Sequence, residues 1–408
     1  MRFLVVLFCA MILLAGCDHP QNPIQTVLLK NKFLSEVSQN PEHEVQVLYT
    51  QIDRDSLQIP HFTTYAFTSG TDDYFYPAST VKFPAALLAL EKINRLGIAG
   101  LSLDSRMEVD SAFMGQTSVR TDSSSANGFP SIGHYIRKIF LVSDNDAFNR
   151  LYEFIGQDDF NKNLLQKGYT QSRILHRLSL SLGVEENQVT NPVRFYQGDT
   201  LLYAQPVLYA TGHYQSARPL LRGKGYLSGD SIIDQPFDFT FKNCFPLEEQ
   251  HRMLRAVIFP EYETTGTFDL TREDYRFLHY YMGLLPRESG MPAYSDTSRY
   301  WDSYIKLLLY GSRPGVAIPA NIRIFNKPGL AYGYAIDNAY IVDFDNDIEF
   351  MLSAVVHANA NQVYNDGMYE YDSVAFPFLE QLGSRIYELE RNRPKKHKPD
   401  LSYFQSLY

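Results

Sequence analysis

A chain of 408 residues with a formal net charge of −9 has room for one large domain or two small ones, and it lacks the basic surplus that nucleic acid demands. Its apolar and charged fractions, 45% and 20%, are ordinary for a globular protein, and no stretch after the N-terminus is long enough to cross a bilayer. The one basic cluster, Arg391 to Lys398, reads as a solvated, frayed tail over 393–408.

The chain opens with Arg2, an apolar run from Phe3 to Leu14, and then Leu14-Ala15-Gly16-Cys17. A positive end, a short apolar core and small residues make a targeting segment, expected over 1–16. Small residues closing on cysteine resemble the lipobox of bacterial lipoproteins. That resemblance implies cleavage before Cys17, lipid on its sulfur, and a polar tether over 17–25. The plainer alternative is a secretory signal cut near Ala15 or Gly16. Either way the protein is exported, and the lipobox reading makes it a membrane-anchored protein of the cell envelope. Cys9 leaves with the signal and Cys17 carries lipid, so Cys244 stands alone as a small buried hydrophobe, with no disulfide and no thiolate zinc cluster.

Thr26 to Ser38 repeats apolar residues at helical spacing, and Val45 to Asp53 and Phe62 to Phe67 read as two strands. Next comes Tyr76-Pro77-Ala78-Ser79-Thr80-Val81-Lys82-Phe83, a serine placed where extended chain turns into an apolar helix. Ser79 and Lys82, three residues apart, share one helix face, about 5–6 Å apart at Cβ. A serine hydroxyl needs a base to take its proton, and a lysine desolvated by apolar neighbours is suited to be one. A second Ser-x-x-Lys, Ser303 to Lys306, reads as part of an amphipathic helix over Ser298 to Leu309.

Helical texture continues through Phe83 to Leu96, Ile132 to Val142 and Ala147 to Ile155. Between the last two lies Ser143-Asp144-Asn145, three residue types that also cap helices. From about 188 to 245 tyrosines, glycines and prolines interrupt short apolar runs, as in an irregular or β-rich insertion. Helices return at Pro246 to Phe259 and Arg272 to Leu285. Asn321 to Phe325, Tyr334 to Phe344 and Ile348 to His357 read as three strands, and Phe376 to Arg391 as a closing amphipathic helix. Lys327-Pro328-Gly329 ends the first of those strands, either as a tight turn or as a cationic edge where Gly329 admits a substrate.

Ser79-x-x-Lys82, Ser143-Asp144-Asn145 and Lys327-Pro328-Gly329 follow the order and settings of the class A β-lactamase and penicillin-binding-protein superfamily, which the mature chain resembles along nearly its whole length. The resemblance implies an α/β (α+β) fold, with an antiparallel sheet of about five strands flanked by helices. The sheet half would be 26–70 with 315–392, and the helical lobe 71–314 would carry the insertion. It also implies Ser79 as acylated nucleophile, Lys82 as its proton acceptor, Ser143 as proton relay and Lys327 as the cation for the substrate carboxylate. Asn145 and Gly329 would contact substrate, and the backbone N–H groups of Ser79 and Leu330 would hold the oxyanion. The substrates implied are β-lactams or peptidoglycan-derived D-Ala peptides, with no metal or other cofactor.

Two departures qualify this. Pro328 stands where the family has threonine or serine, removing a hydroxyl and an N–H. The family's water-activating glutamate follows an Arg-Leu pair, yet after Arg177-Leu178 ungapped counting puts Leu182 there. Glu185 and Glu186 serve only if the loop is re-routed; their plainer reading is a solvated acidic turn. The expectation is an acyl-serine hydrolase with slow deacylation. The alternatives are a D-Ala-D-Ala carboxypeptidase, an esterase-like cell-wall hydrolase, or a non-catalytic peptidoglycan- or glycan-binding protein on the same fold.

Overall fold

The computed structural model describes residues 22–69, 74–112 and 116–408; the expected signal segment and Cys17 lie outside them. The apolar repeat expected to make one helix makes two, α1 (Pro23–Lys30) and α2 (Lys32–Gln39). Asn31 parts them: it is extended, and its side chain takes the Leu34 N–H at 3.0 Å. α1 also begins inside the stretch read as tether, because Asn22 caps the Ile24 N–H and Pro23 pre-sets the first turn.

One antiparallel sheet organises the molecule. Its strands are β1 (Gln46–Arg54), β2 (Pro60–Thr68), β3 (Ile322–Asn326), β4 (Gly329–Ala331), β5 (Tyr334–Asp343) and β6 (Ile348–His357). The order is β3-β5-β6-β1-β2, with β4 also on β5. Six strands stand where about five were expected, because Lys327-Pro328 splits one run into β3 and β4. β5 and β6 are buried along their whole length. Alternate side chains serve opposite cores: Ala339 and Ile341 pack with α1, α2 and the C-terminal helix, Tyr340 and Val342 with the helical lobe.

The helical lobe is built on α3 (Lys82–Leu96), α4 (Ile132–Val142), α5 (Asn145–Ile155), α6 (Gln157–Gln166), α7 (Leu247–Ile258) and α8 (Arg272–Gly283). α3 is apolar nearly all round and buried as such. α9 (Phe376–Asn392) closes the other face of the sheet.

Two expectations fail for identifiable reasons. Ser298 to Leu309 forms turns rather than a helix. The Asp337 carboxylate takes the N–H groups of both Leu307 and Leu308 at 3.0 Å, which diverts them from helical partners. The tail is not frayed: Leu401, Phe404 and Leu407 are buried in the helical-lobe core, and the Phe404 ring lies 5.1 Å from those of Phe325 and Tyr340. The insertion is β-rich as expected, and it packs away from the motif cleft, pairing Gly225–Ser228 in parallel with Val363–Tyr364. Phe237 and Phe239 stack against Tyr332 and Tyr364.

Candidate active site

Pro77 ends the extended segment, and Ala78–Val81 forms one 3-10 turn that runs straight into α3. Ala78 is left-handed at φ +50°, a strained setting for a residue with a Cβ. The result is a half-buried Ser79 at the mouth of the lobe and a fully buried Lys82 beneath it. Lys82 Nζ lies 2.8 Å from Ser79 Oγ.

α4 and α5 meet at the second motif. Ser143 is the left-handed C-cap of α4, at φ +56°. Asp144 is the N-cap of α5, its carboxylate taking the Ala147 N–H at 2.8 Å. The cap reading therefore holds for Asp144 alone, while its neighbours turn to Lys82. The ammonium donates to the Ser143 carbonyl, to Ser143 Oγ at 3.1 Å and to Asn145 Oδ1 at 2.6 Å.

The third motif arrives from the sheet. Lys327 Nζ lies 2.9 Å from Ser143 Oγ and 2.7 Å from its own neighbour's carbonyl, Pro328 O. Ser143 Oγ thus sits between two lysines. Burial pulls Lys82 down from the ordinary lysine value to about 7. Lys327 falls well below it too, chiefly from burial and then from the Lys82 charge.

Gly329 has a packing task besides the substrate contact expected of it. A Cβ there would lie 2.9 Å from Pro77 O, 2.9 Å from Ser79 N and 3.1 Å from Ala78 Cβ. β4 thus packs closely on the Ser79 turn, and Gly329 also lines the cavity in front of Ser79. Lys327 N–H bonds Asn338 O, so alternation along the antiparallel pair makes Leu330–Ala335 a non-bonded pair. The Leu330 N–H consequently points out of the sheet, on the edge that faces Ser79.

The loop after Arg177-Leu178 is pinned from below by a buried ion pair, Arg177 Nε to Glu153 Oε1 at 2.7 Å. What it brings to the site is Ser179, left-handed at φ +54°, whose Oγ accepts from Asn145 Nδ2 at 2.7 Å. Neither Glu185 nor Glu186 reaches the cavity. Both are exposed on the short helix Val184–Gln188, and Glu186 caps it by accepting the Gly183 N–H. Leu182 lines a separate cavity, against the insertion.

The space in front of Ser79 is about 410 Å³ and open to solvent. No residue of the insertion lines it. Ser79, Ser143, Asn145, Gly329 and Leu330 line it, together with others that include Trp301, Tyr304, Asp372 and Phe376. Those last four escaped sequence reasoning. One signal was present: Trp301 is the only tryptophan of the chain.

The other Ser-x-x-Lys is a useful contrast. Lys306 is also fully buried and also pulled to about 7 by desolvation. Its Nζ is spent on Met282 O, Ile324 O and Asn326 Oδ1, at 2.7, 2.7 and 2.8 Å. A depressed lysine alone does not make a site; the partner hydroxyl does. His251 serves the core, bridging Thr50 and Ser353 at 2.7 and 2.8 Å. Among the described residues no cluster of His, Cys, Asp and Glu could hold a metal.

The model of the β-lactamase enzyme family matches residues 29–204. Among solved structures, a β-lactamase from Burkholderia vietnamiensis superposes with a TM-score of 0.51 at 14% identity, covering 92% of this chain and 100% of that one. A β-lactamase from Xanthomonas campestris gives 0.50 at 13% identity, covering 90% and 97%. No curated protein sequence matches the chain. At such identity the likeness to the solved structures is one of fold, and the family model spans under half of the chain, the part that carries Ser79, Lys82 and Ser143.

Proposed function

We propose that this protein cleaves a β-lactam or a D-Ala-type amide through an acyl-Ser79 intermediate. The observation that carries the reading is the contact of Lys82 Nζ with Ser79 Oγ at 2.8 Å and with Ser143 Oγ at 3.1 Å. In this mechanism neutral Lys82 takes the Ser79 proton as Oγ attacks the carbonyl. The oxyanion forms against the N–H groups of Ser79 and Leu330, where one donor is worth about 3 kcal/mol. Ser143 Oγ, held by Lys327 at 2.9 Å, passes a proton to the departing nitrogen, and Lys327 biases that hydroxyl. Asn145 orients the acyl group and restrains Lys82.

Deacylation is the slow step in this reading. The loop that follows Leu178 sets the Ser179 hydroxyl against Asn145 and keeps its two glutamates outside the cavity. With no carboxylate from that loop to draw a proton from water, the acyl-enzyme accumulates. The expected setting is the cell envelope, with the domain held to a membrane by lipid on Cys17.

Intact-protein mass spectrometry after incubation with benzylpenicillin tests this. A lasting adduct of one penicillin, absent from Ser79→Ala, is the expected result. Fast turnover would discard slow deacylation. Absence of any adduct, with penicillins and activated esters alike, would leave the non-catalytic binding protein.

A further inference from the structure

The cavity in front of Ser79 carries one charged residue on its walls, Asp372, and among the described residues no lysine, arginine or histidine lines it. Lys82 and Lys327 lie behind the serines, buried, with their donors directed at Ser79, Ser143, Asn145 and Pro328. A substrate carboxylate entering this space meets no exposed cation, and Pro328 offers it neither hydroxyl nor N–H.

Opposite charge finds a different reception. Asp372 is exposed, and its carboxylate makes no hydrogen bond or ion pair with the other described residues. It sits on the same cavity as Trp301 and Tyr304, whose rings meet edge-on with centroids 5.1 Å apart. The Trp301 Nε1 is buried without a partner. An aromatic wall plus an unpaired carboxylate is what holds an ammonium, through the ring quadrupole and through Coulomb attraction.

We infer that the Ser79 cavity selects substrates bearing a protonated amine on the group that lies against Trp301 and Asp372. The inference rests on the acyl-Ser79 reading of this cavity and names the substrate class within it: ammonium-bearing amides in preference to neutral or doubly anionic ones.

Three penicillins test this, differing at one carbon: ampicillin carries an ammonium there, benzylpenicillin a hydrogen, carbenicillin a carboxylate. Trp301, the only tryptophan of the chain, reports occupancy by its fluorescence. Titration of the Ser79→Ala variant measures binding whether or not Ser79 reacts, so this test and the mass-spectrometric one fail separately. Ampicillin is expected to bind about tenfold more tightly than benzylpenicillin, with carbenicillin weakest. Adding Asp372→Asn collapses most of that order, and raised salt compresses it. Equal affinities, a reversed order, no binding of any of the three, or an order unchanged by Asp372→Asn would each overturn the inference, even if wild-type Ser79 is acylated.

Discussion

Lys82 Nζ and Ser79 Oγ face each other at 2.8 Å with no ionised carboxylate in hydrogen-bond reach of the amine. Desolvation therefore dominates the Lys82 titration and pulls it to about 7. In the proposed role of base the working form is the free amine, whose fraction falls about tenfold per pH unit below that value. The acylation rate constant is expected to rise from pH 5 to about 7 and then level. Lys82→Ala should lower it by about 10²–10⁴. A rate that is flat from pH 5 to 9 would remove Lys82 from the role of base.

Pro328 can be replaced at little structural cost. Lys327 pairs with Asn338 through its N–H, so position 328 falls on the non-bonded alternate of the ladder, where the missing proline N–H costs the sheet nothing. Pro328→Thr is expected to leave the melting temperature nearly unchanged. It restores a hydroxyl donor beside Gly329 and should raise the acylation rate constant for benzylpenicillin by about tenfold. An unchanged rate constant would show that carboxylate recognition does not run through this position.

Gly329→Ala should do the opposite. Its new methyl meets the backbone of Pro77 and Ser79 and the Cβ of Ala78, none of which can swing aside. Moving β4 away from the nucleophile turn is expected to cost about 1–3 kcal/mol and to lower acylation together with thermal stability. A variant with normal stability and normal acylation would mean that β4 is not wedged against the Ser79 turn.

How far the sequence told this story varies by element. Ile132–Val142 was legible to the residue, because Ser131 caps it and its apolar stripe is uninterrupted. The three motifs were legible because their chemistry is local: serine before an apolar helix, cap residues between two helices, proline at a strand break. The far wall of the cavity was not. Trp301 and Tyr304 stand in non-helical chain just before Leu307 and Leu308, whose amides Asp337, a residue of the distant β5, captures. Ser179 reaches Asn145 only because a buried pair between Glu153 and Arg177 fixes its loop. α6 went unread, its few apolar residues masked by polar ones that include buried Asn161. Long-range polar capture leaves no period in a sequence.

That buried pair is itself testable. Arg177 and Glu153 side chains are 1% and 2% exposed, and Arg177 also donates to Val189 O at 2.7 Å. Arg177→Met leaves the Glu153 charge without its cation, which is expected to cost about 3–5 kcal/mol. Double replacement with Glu153→Leu should recover part of that loss. Thermal or urea unfolding of the single and double variants measures the coupling. An additive result would mean that the two side chains do not act as a unit.

The last residues offer the clearest separation of stability from chemistry. Phe404 is buried against Phe325 and Tyr340, and none of the three lines the Ser79 cavity. Phe404→Ala removes a core ring and is expected to cost about 3–5 kcal/mol. The effect should appear as a lower urea midpoint, while the acylation rate constant at 20 °C stays within about twofold, since no residue of the tail touches the reacting groups. Unchanged unfolding would return the tail to the status of a solvated end. A loss of acylation in protein that is still folded would instead tie the tail to the placement of β3 and, through it, of Lys327.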